Sequence, residues 1–140
     1  SLTKNWHEMV NAEGGGWVWL NCPYSDPLPW VDKALETQKQ GTGVVMLLNN
    51  DTSVRWFARA LKGVGEIRCF VANDMDKPLY QTGRIAFVDT STGKPIKTNN
   101  KPQFSLVFYP FGNGKPVTTY HCLRDVMIIG ASLLSNWKAA

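Results

Sequence analysis

Five consecutive β-prone apolar residues, Val44-Val45-Met46-Leu47-Leu48, lie between two stretches of helical periodicity, and no other feature restricts the fold as much. An unbroken run of that length marks a strand covered on both faces, the usual state of a strand in a parallel sheet. Before it, Trp30, Val31, Ala34 and Leu35 recur at helical spacing from Leu28 onward, with Asp32, Lys33, Glu36 and Lys39 opposite, and "QGTG" ends the helix. After it, Trp56, Phe57, Ala60 and Leu61 form an apolar stripe and Arg55, Arg59 and Lys62 a basic one, with Asp51, Thr52 or Ser53 as the expected cap. A shorter apolar strand, Trp17 to Leu20, precedes the first helix. Strands and helices that alternate in this way build a parallel sheet with helices on its faces.

Three further segments, "EIRCFVA", "GRIAFVD" and "FSLVFYPF", read as strands. The last two are joined by the Lys-rich "TSTGKPIKTNNKPQ" without a helix long enough for a parallel crossover, so they are expected to form an antiparallel hairpin. The tail "YHCLRDVMIIGASLLSNW" has a mixed pattern that fits a helix, weakened by Gly130. The sum is an α/β fold, part of an open three-layer sheet, in one domain over residues 1–140. Ligands of such sheets bind beyond the carboxyl ends of the strands, where Asn21 and Asn49 both fall.

Composition excludes several classes. With 44% hydrophobic and 19% charged residues the chain is an ordinary globule rather than a disordered one. Cys22, Cys69 and Cys122 are odd in number and widely spaced, with only His7 and His121 to assist, so neither a disulfide framework nor a metal site is expected. No apolar run approaches the roughly 20 residues that span a bilayer, and "SLTKNWHEMV" is not a signal peptide. A cytoplasmic protein without membrane partners is expected, in which the Asn50-Asp51-Thr52 sequon carries no glycan. A net charge of +4 is compatible with a polyanionic partner without requiring one.

Chemistry concentrates where the first strand ends, at Asn21-Cys22-Pro23-Tyr24. The Asn21 amide oxygen and the Cys22 carbonyl are two acceptors beside the flat face of Tyr24. Such a set can accept both N–H bonds of a planar exocyclic amine or amide while its ring packs on the phenol. Pro23 keeps Cys22 out of the helical region and fixes its own φ, so the carbonyls are aimed in advance.

The tetrapeptide resembles the Asp/Asn/Ser-Pro-Pro-Tyr/Phe/Trp signature of amino-group methyltransferases. More narrowly, the ordered set "NCPYSDPLPWVDKAL", "GVVMLLNNDTSVRWF" and "GRIAF" resembles the phage DNA N6-adenine methyltransferases of the Dam type over most of the first 110 residues. That resemblance implies a Rossmann-like methyltransferase sheet with an antiparallel C-terminal hairpin, and methyl transfer from S-adenosyl-L-methionine to N6 of an adenine flipped out of double-stranded DNA. It assigns the amine to Asn21 and the Cys22 carbonyl, and the base to Tyr24.

Two departures accompany it. Cys22 replaces the first Pro, which keeps the backbone acceptor and releases one fixed φ. Only 20 residues precede Asn21, and the "AEGGGW" among them leads into a strand, whereas a cofactor turn leads from strand to helix. Ser1 is therefore expected to follow a cofactor-binding N-terminal half, a partner for this chain. Lys94, Lys97 and Lys101 in the late connection are candidate DNA contacts, equally readable as a solvated turn. Arg84 is a phosphate contact or a strand-edge charge, and the Arg55, Arg59, Lys62 row reads as a solvated helix face. Two other readings stand beside DNA methylation: a protein glutamine N5-methyltransferase, whose substrate is also a planar amide, and a non-catalytic DNA-binding remnant.

Overall fold

Residues 1–74, 81–96, 100–112 and 114–135 are described by a computed structural model. The chain divides into two compact units, Ser1–Arg68 with Phe104–Thr119, and Cys69–Gln103 with Tyr120–Ala140.

The apolar runs become strands β1 (Trp17–Asn21) and β2 (Gly43–Asn49), parallel, with Trp17 opposite Gly43 and Asn21 opposite Leu47. The glycine at 43 is required by that register. A Cβ there would lie 2.4 Å from the Trp17 ring, which instead packs flat on the bare backbone. Helix α1 (Trp6–Ala12), which the sequence reading did not anticipate, precedes β1, and helix α2 (Leu28–Lys39) is the crossover to β2. Helix α3 (Arg55–Ala60) follows β2. Its N-cap is Val54, without a side-chain cap; the Asp51 carboxylate instead accepts the Ser53 N–H and hydroxyl one turn earlier. Strands β3 (Glu66–Val71), β4 (Gln103–Phe108) and β5 (Val117–Cys122) and helix α4 (Leu123–Ser135) complete the fold.

The five strands are ordered β1-β2-β4-β3-β5. Hydrogen bonds at the strand ends set the directions. Gly65 N–H, just before β3, donates to Val107 O near the end of β4, and Phe111 N–H, just after β4, donates to Gln38 O ahead of β2. Strand β4 therefore runs against both of its neighbours. Val117 N–H donates to Gly65 O, so β5 starts where β3 starts. The mixed α/β sheet is the architecture expected, but "GRIAFVD" is not one of its strands. Residues 84–89 make only an isolated antiparallel bridge, Val88 to Pro95, and the fifth strand is the polar "VTTYHC" that the sequence reading gave in part to the tail helix.

The core of the first unit is built from β2 and β4, whose Val44, Met46, Leu48, Phe104, Leu106 and Phe108 are fully buried. Helix α2 seats Val31 and Ala34 on it, and α3 seats Phe57, whose ring stacks on Phe104 at 5.6 Å. Val31 and Phe57 each contribute about 1.5–3 kcal/mol on burial and the Ala34 methyl less than about 1 kcal/mol, which is what holds the two helices to the sheet.

Candidate active site

The Asn21–Tyr24 loop springs from the carboxyl end of β1 and leads into α2. Strand β1 ends at Asn21 because the next residues cannot continue it: Cys22 turns its side chain into the core, 3% exposed, and Pro23 has no N–H for a ladder. The Asn21 side chain faces solvent, as does Pro23, and Tyr24 is half-buried. Tyr24 OH donates to Asn21 Oδ1 at 3.0 Å. The structure thus joins the two side chains that the sequence pattern assigned to amine and ring. An amide oxygen has two lone pairs, so one remains for a second donor. Burial pushes the Cys22 thiol up, so the side chain stays neutral and only the backbone of that residue is suited to polar chemistry.

Around this loop the first unit supplies apolar surface. Trp30, in the first turn of α2, stacks on Trp6 at 6.2 Å. An open cleft of about 220 Å³ runs beside β1, lined mainly by Trp6, Met9, Val10, Val18, Trp19 and Leu20. Asn49 ends β2, as expected, and its carbonyl accepts the Asp51 N–H at 2.8 Å.

The basic row of α3 is partly neutralised: Arg59 Nη1 bonds Asp32 Oδ1 at 2.6 Å across an open cleft of about 400 Å³ between α2 and α3. In the second unit Lys94 and Lys101 are exposed, and Arg84 is exposed while its Nη1 donates to Asn100 O at 3.2 Å. Arg84 thus ties the two arms of the late connection together and keeps four further N–H donors. Lys97 lies outside the described residues.

One polar cluster escaped the sequence reading. Glu66 Oε2 accepts Arg68 Nε and Thr119 Oγ1, both at 2.8 Å, and Oε1 accepts Tyr109 OH at 3.0 Å. The Arg68 guanidinium holds the Glu66 carboxyl below its ordinary range, helped by Thr119 and Tyr109, against the opposing effect of burial. Glu66 and Arg68 two apart on a strand share a face, a signal the sequence does contain. With both carboxylate oxygens engaged, the cluster pins β3, β4 and β5 at one end rather than offering a reactive group.

A cradle for S-adenosyl-L-methionine is a separate requirement, and the described residues do not fit it. The two strand-to-helix turns, 22–27 and 50–54, contain no glycine for close approach to a cofactor. Gly14, Gly15 and Gly16 all have positive φ, between 95° and 128°, but lie between α1 and β1, leading into a strand. Among the described residues no three His, Cys, Asp or Glu side chains group as metal ligands, and no helix is long and apolar enough to cross a membrane.

Comparison with known proteins concerns the chain as a whole. A family model described as DNA N-6-adenine-methyltransferase (Dam) matches residues 1–133. A protein named DNA N-6-adenine-methyltransferase from Haemophilus phage HP1 (strain HP1c1) is 35% identical over 111 residues, which cover 79% of this chain and 54% of the relative. One of the same name from Escherichia phage T1 is 35% identical over 108 residues, covering 74% and 45%. The chain spans about half the length of the curated relatives it matches. No solved structure matches it.

Proposed function

We propose that this chain, which belongs to the DNA N-6-adenine-methyltransferase (Dam) family, forms the adenine-holding part of an enzyme that methylates N6 of adenine in double-stranded DNA. The observation that carries this reading is the Asn21–Tyr24 loop: a solvent-facing amide, a main-chain carbonyl and a phenol ring at the carboxyl end of a parallel strand pair. Adenine N6 is a poor nucleophile because its lone pair is delocalised into the ring. Asn21 Oδ1 and the Cys22 carbonyl accept its two N–H bonds and favour a pyramidal nitrogen, whose lone pair is then available for attack. The Tyr24 ring covers the base, which has to leave the helical stack to reach the loop. Asn21 is no strong base, so the proton departs after the nitrogen has become cationic.

The methyl donor in this reading is S-adenosyl-L-methionine, and its cradle is contributed by the remaining part of the methyltransferase domain. Strand β1 is at the sheet edge, with Trp17 and Trp19 48% and 66% exposed, and we assign the docking of that part to this edge. Lys94, Lys97, Lys101 and Arg84 are assigned to DNA phosphates, with the enzyme acting in the cytoplasm of the host cell.

The test is methyl incorporation from labelled S-adenosyl-L-methionine into duplex DNA by the intact protein and its Asn21→Ala variant. The variant is expected to fold and to lose about 10²–10³ in kcat, the usual effect of removing one preorganised polar contact. Full activity of the variant refutes the role of the loop. Transfer to protein glutamine in place of DNA makes the planar amide the substrate, and duplex binding without any transfer makes the chain a DNA-binding remnant.

A further inference from the structure

Residues 84–96 of the second unit form a small, internally braced ribbon. Ile96 N–H donates to Phe87 O at 2.7 Å, Asp89 N–H donates to Lys94 O at 2.9 Å, and Val88 faces Pro95 between these two rungs. Pro95 therefore occupies the rung that needs no N–H, and its ring costs the ladder nothing. Asp89 closes the turn, with Oδ1 accepting the Ser91 N–H at 2.8 Å and the Ser91 hydroxyl at 2.7 Å. Gly93, at φ 68°, returns its N–H to Asp89 O.

Burial alternates strictly along the first arm. Gly83, Ile85, Phe87 and Asp89 are half-buried, whereas Arg84, Ala86, Val88 and Thr90 are exposed. The outward face is accordingly a narrow apolar strip, Ala86 and Val88 with Pro95 across the ribbon, above Arg84 at the base; Lys94, the cross-strand partner of Asp89, leaves the turn from the opposite face. Val88 is 58% exposed. Residues 81–103 carry four cations and one carboxylate, and that carboxylate, Asp89, is turned into the loop. Small apolar side chains bordered by cations suit a polyanion that presents an apolar group, and in the DNA major groove that group is the thymine C5-methyl. A two-stranded ribbon also has the width that this groove admits.

We infer that the outward face of this ribbon reads thymine methyl groups in the major groove, with Val88 making the contact, Ala86 and Pro95 beside it, and Arg84 on the flanking phosphate. The inference rests on the duplex-DNA reading above and adds to it a residue that sets sequence preference.

The experiment measures binding of the chain, by fluorescence anisotropy, to the alternating copolymers poly(dA-dT) and poly(dA-dU), which differ only in the methyl group and present it in every register. The wild-type chain is expected to bind the thymine copolymer about four-fold more tightly, the effect of burying one methyl group. Val88→Ser should bring the ratio close to one at unchanged affinity for the uracil copolymer, and Ala86→Ser should lower it less. Arg84→Ala should weaken both complexes equally and reduce the slope of log K against log salt by about 0.9. Asn21→Ala should leave the ratio at its wild-type value. A wild-type ratio of one, or a ratio that survives Val88→Ser, overturns the inference; if Asn21-dependent methyl transfer persists, the adenine reading stands alone. A chain that binds neither copolymer overturns the ribbon's role and the duplex-DNA reading together.

Discussion

Replacing Tyr24 by Phe removes the hydrogen bond from the phenol to Asn21 and keeps the ring. The bond from Tyr24 OH to Asn21 Oδ1 is 3.0 Å long, joins two neutral groups and lies at an exposed site. Its net contribution to folding falls at the low end of the usual range, about 0.5 kcal/mol, so the melting temperature should move by only a few degrees. In the complex the base covers the loop and excludes water, and the same bond then fixes the rotation of the amide that must meet N6. An orientation worth about 1 kcal/mol corresponds to roughly a five-fold lower kcat. The ring is retained, so KM for DNA should stay the same. Tyr24→Ala also removes the stacking surface, worth about 1–3 kcal/mol per base, and should raise KM by about 5- to 150-fold. Steady-state methylation of duplex DNA by the intact protein gives both constants. A Tyr24→Phe enzyme with raised kcat or lowered KM would refute the reasoning, because the phenol would then be a competitor of the base for the amide.

Three further outcomes follow from the rest of the structure. Glu66→Gln should cost about 1–3 kcal/mol at neutral pH, since a charged acceptor of three hydrogen bonds becomes neutral. The folded carboxyl titrates below its ordinary value of 4.5, so this difference should hold from pH 7 down to that value and shrink as pH falls through the folded pKa; chemical denaturation across pH measures it, and a difference unchanged at pH 3 contradicts the linkage. Gly41→Ala should destabilise the chain by more than about 1 kcal/mol, because Gly41 has φ 103° and a Cβ there would stand 2.5 Å from the Phe111 ring. Thermal melts check this, and an unchanged midpoint counts against the packing described. The Cys22 thiol, buried and held neutral, should react with iodoacetamide at pH 8 far more slowly than in urea-unfolded chain; equal rates would show that the side chain is not enclosed.

The elements read from sequence to within one residue of their ends were those whose pattern is set by burial. Val44 to Leu48 is apolar throughout because both faces of β2 are covered, and α2 shows a clean stripe because one face meets the sheet. Helix α1 went unread although a signal for it was present in Asn5 and Glu8: the Asn5 side chain accepts the Glu8 N–H at 2.9 Å, a cap of standard spacing. Strand β5 was not legible, since "VTTYHC" at a sheet edge is largely exposed and has no apolar alternation to show. The segment "GRIAFVD" has the alternation of a strand and keeps it in its exposure pattern, but its ladder is local, confined to the ribbon. At the site, the positions of Asn21 and Asn49 at strand ends followed from chain order. The bond between Tyr24 and Asn21 could not be anticipated, because pattern places two groups in one loop without fixing where a phenol points.

The place of β4 bears on how the protein is made. This strand lies between β2 and β3, yet it leaves the ribosome after both of them. Until residue 108 has emerged, β2 and β3 each lack the strand that lies between them, which follows β3 by more than thirty residues. The sheet therefore closes last at its middle, and its long-range pairings β2–β4 and β4–β3 can form only once the late strand is available.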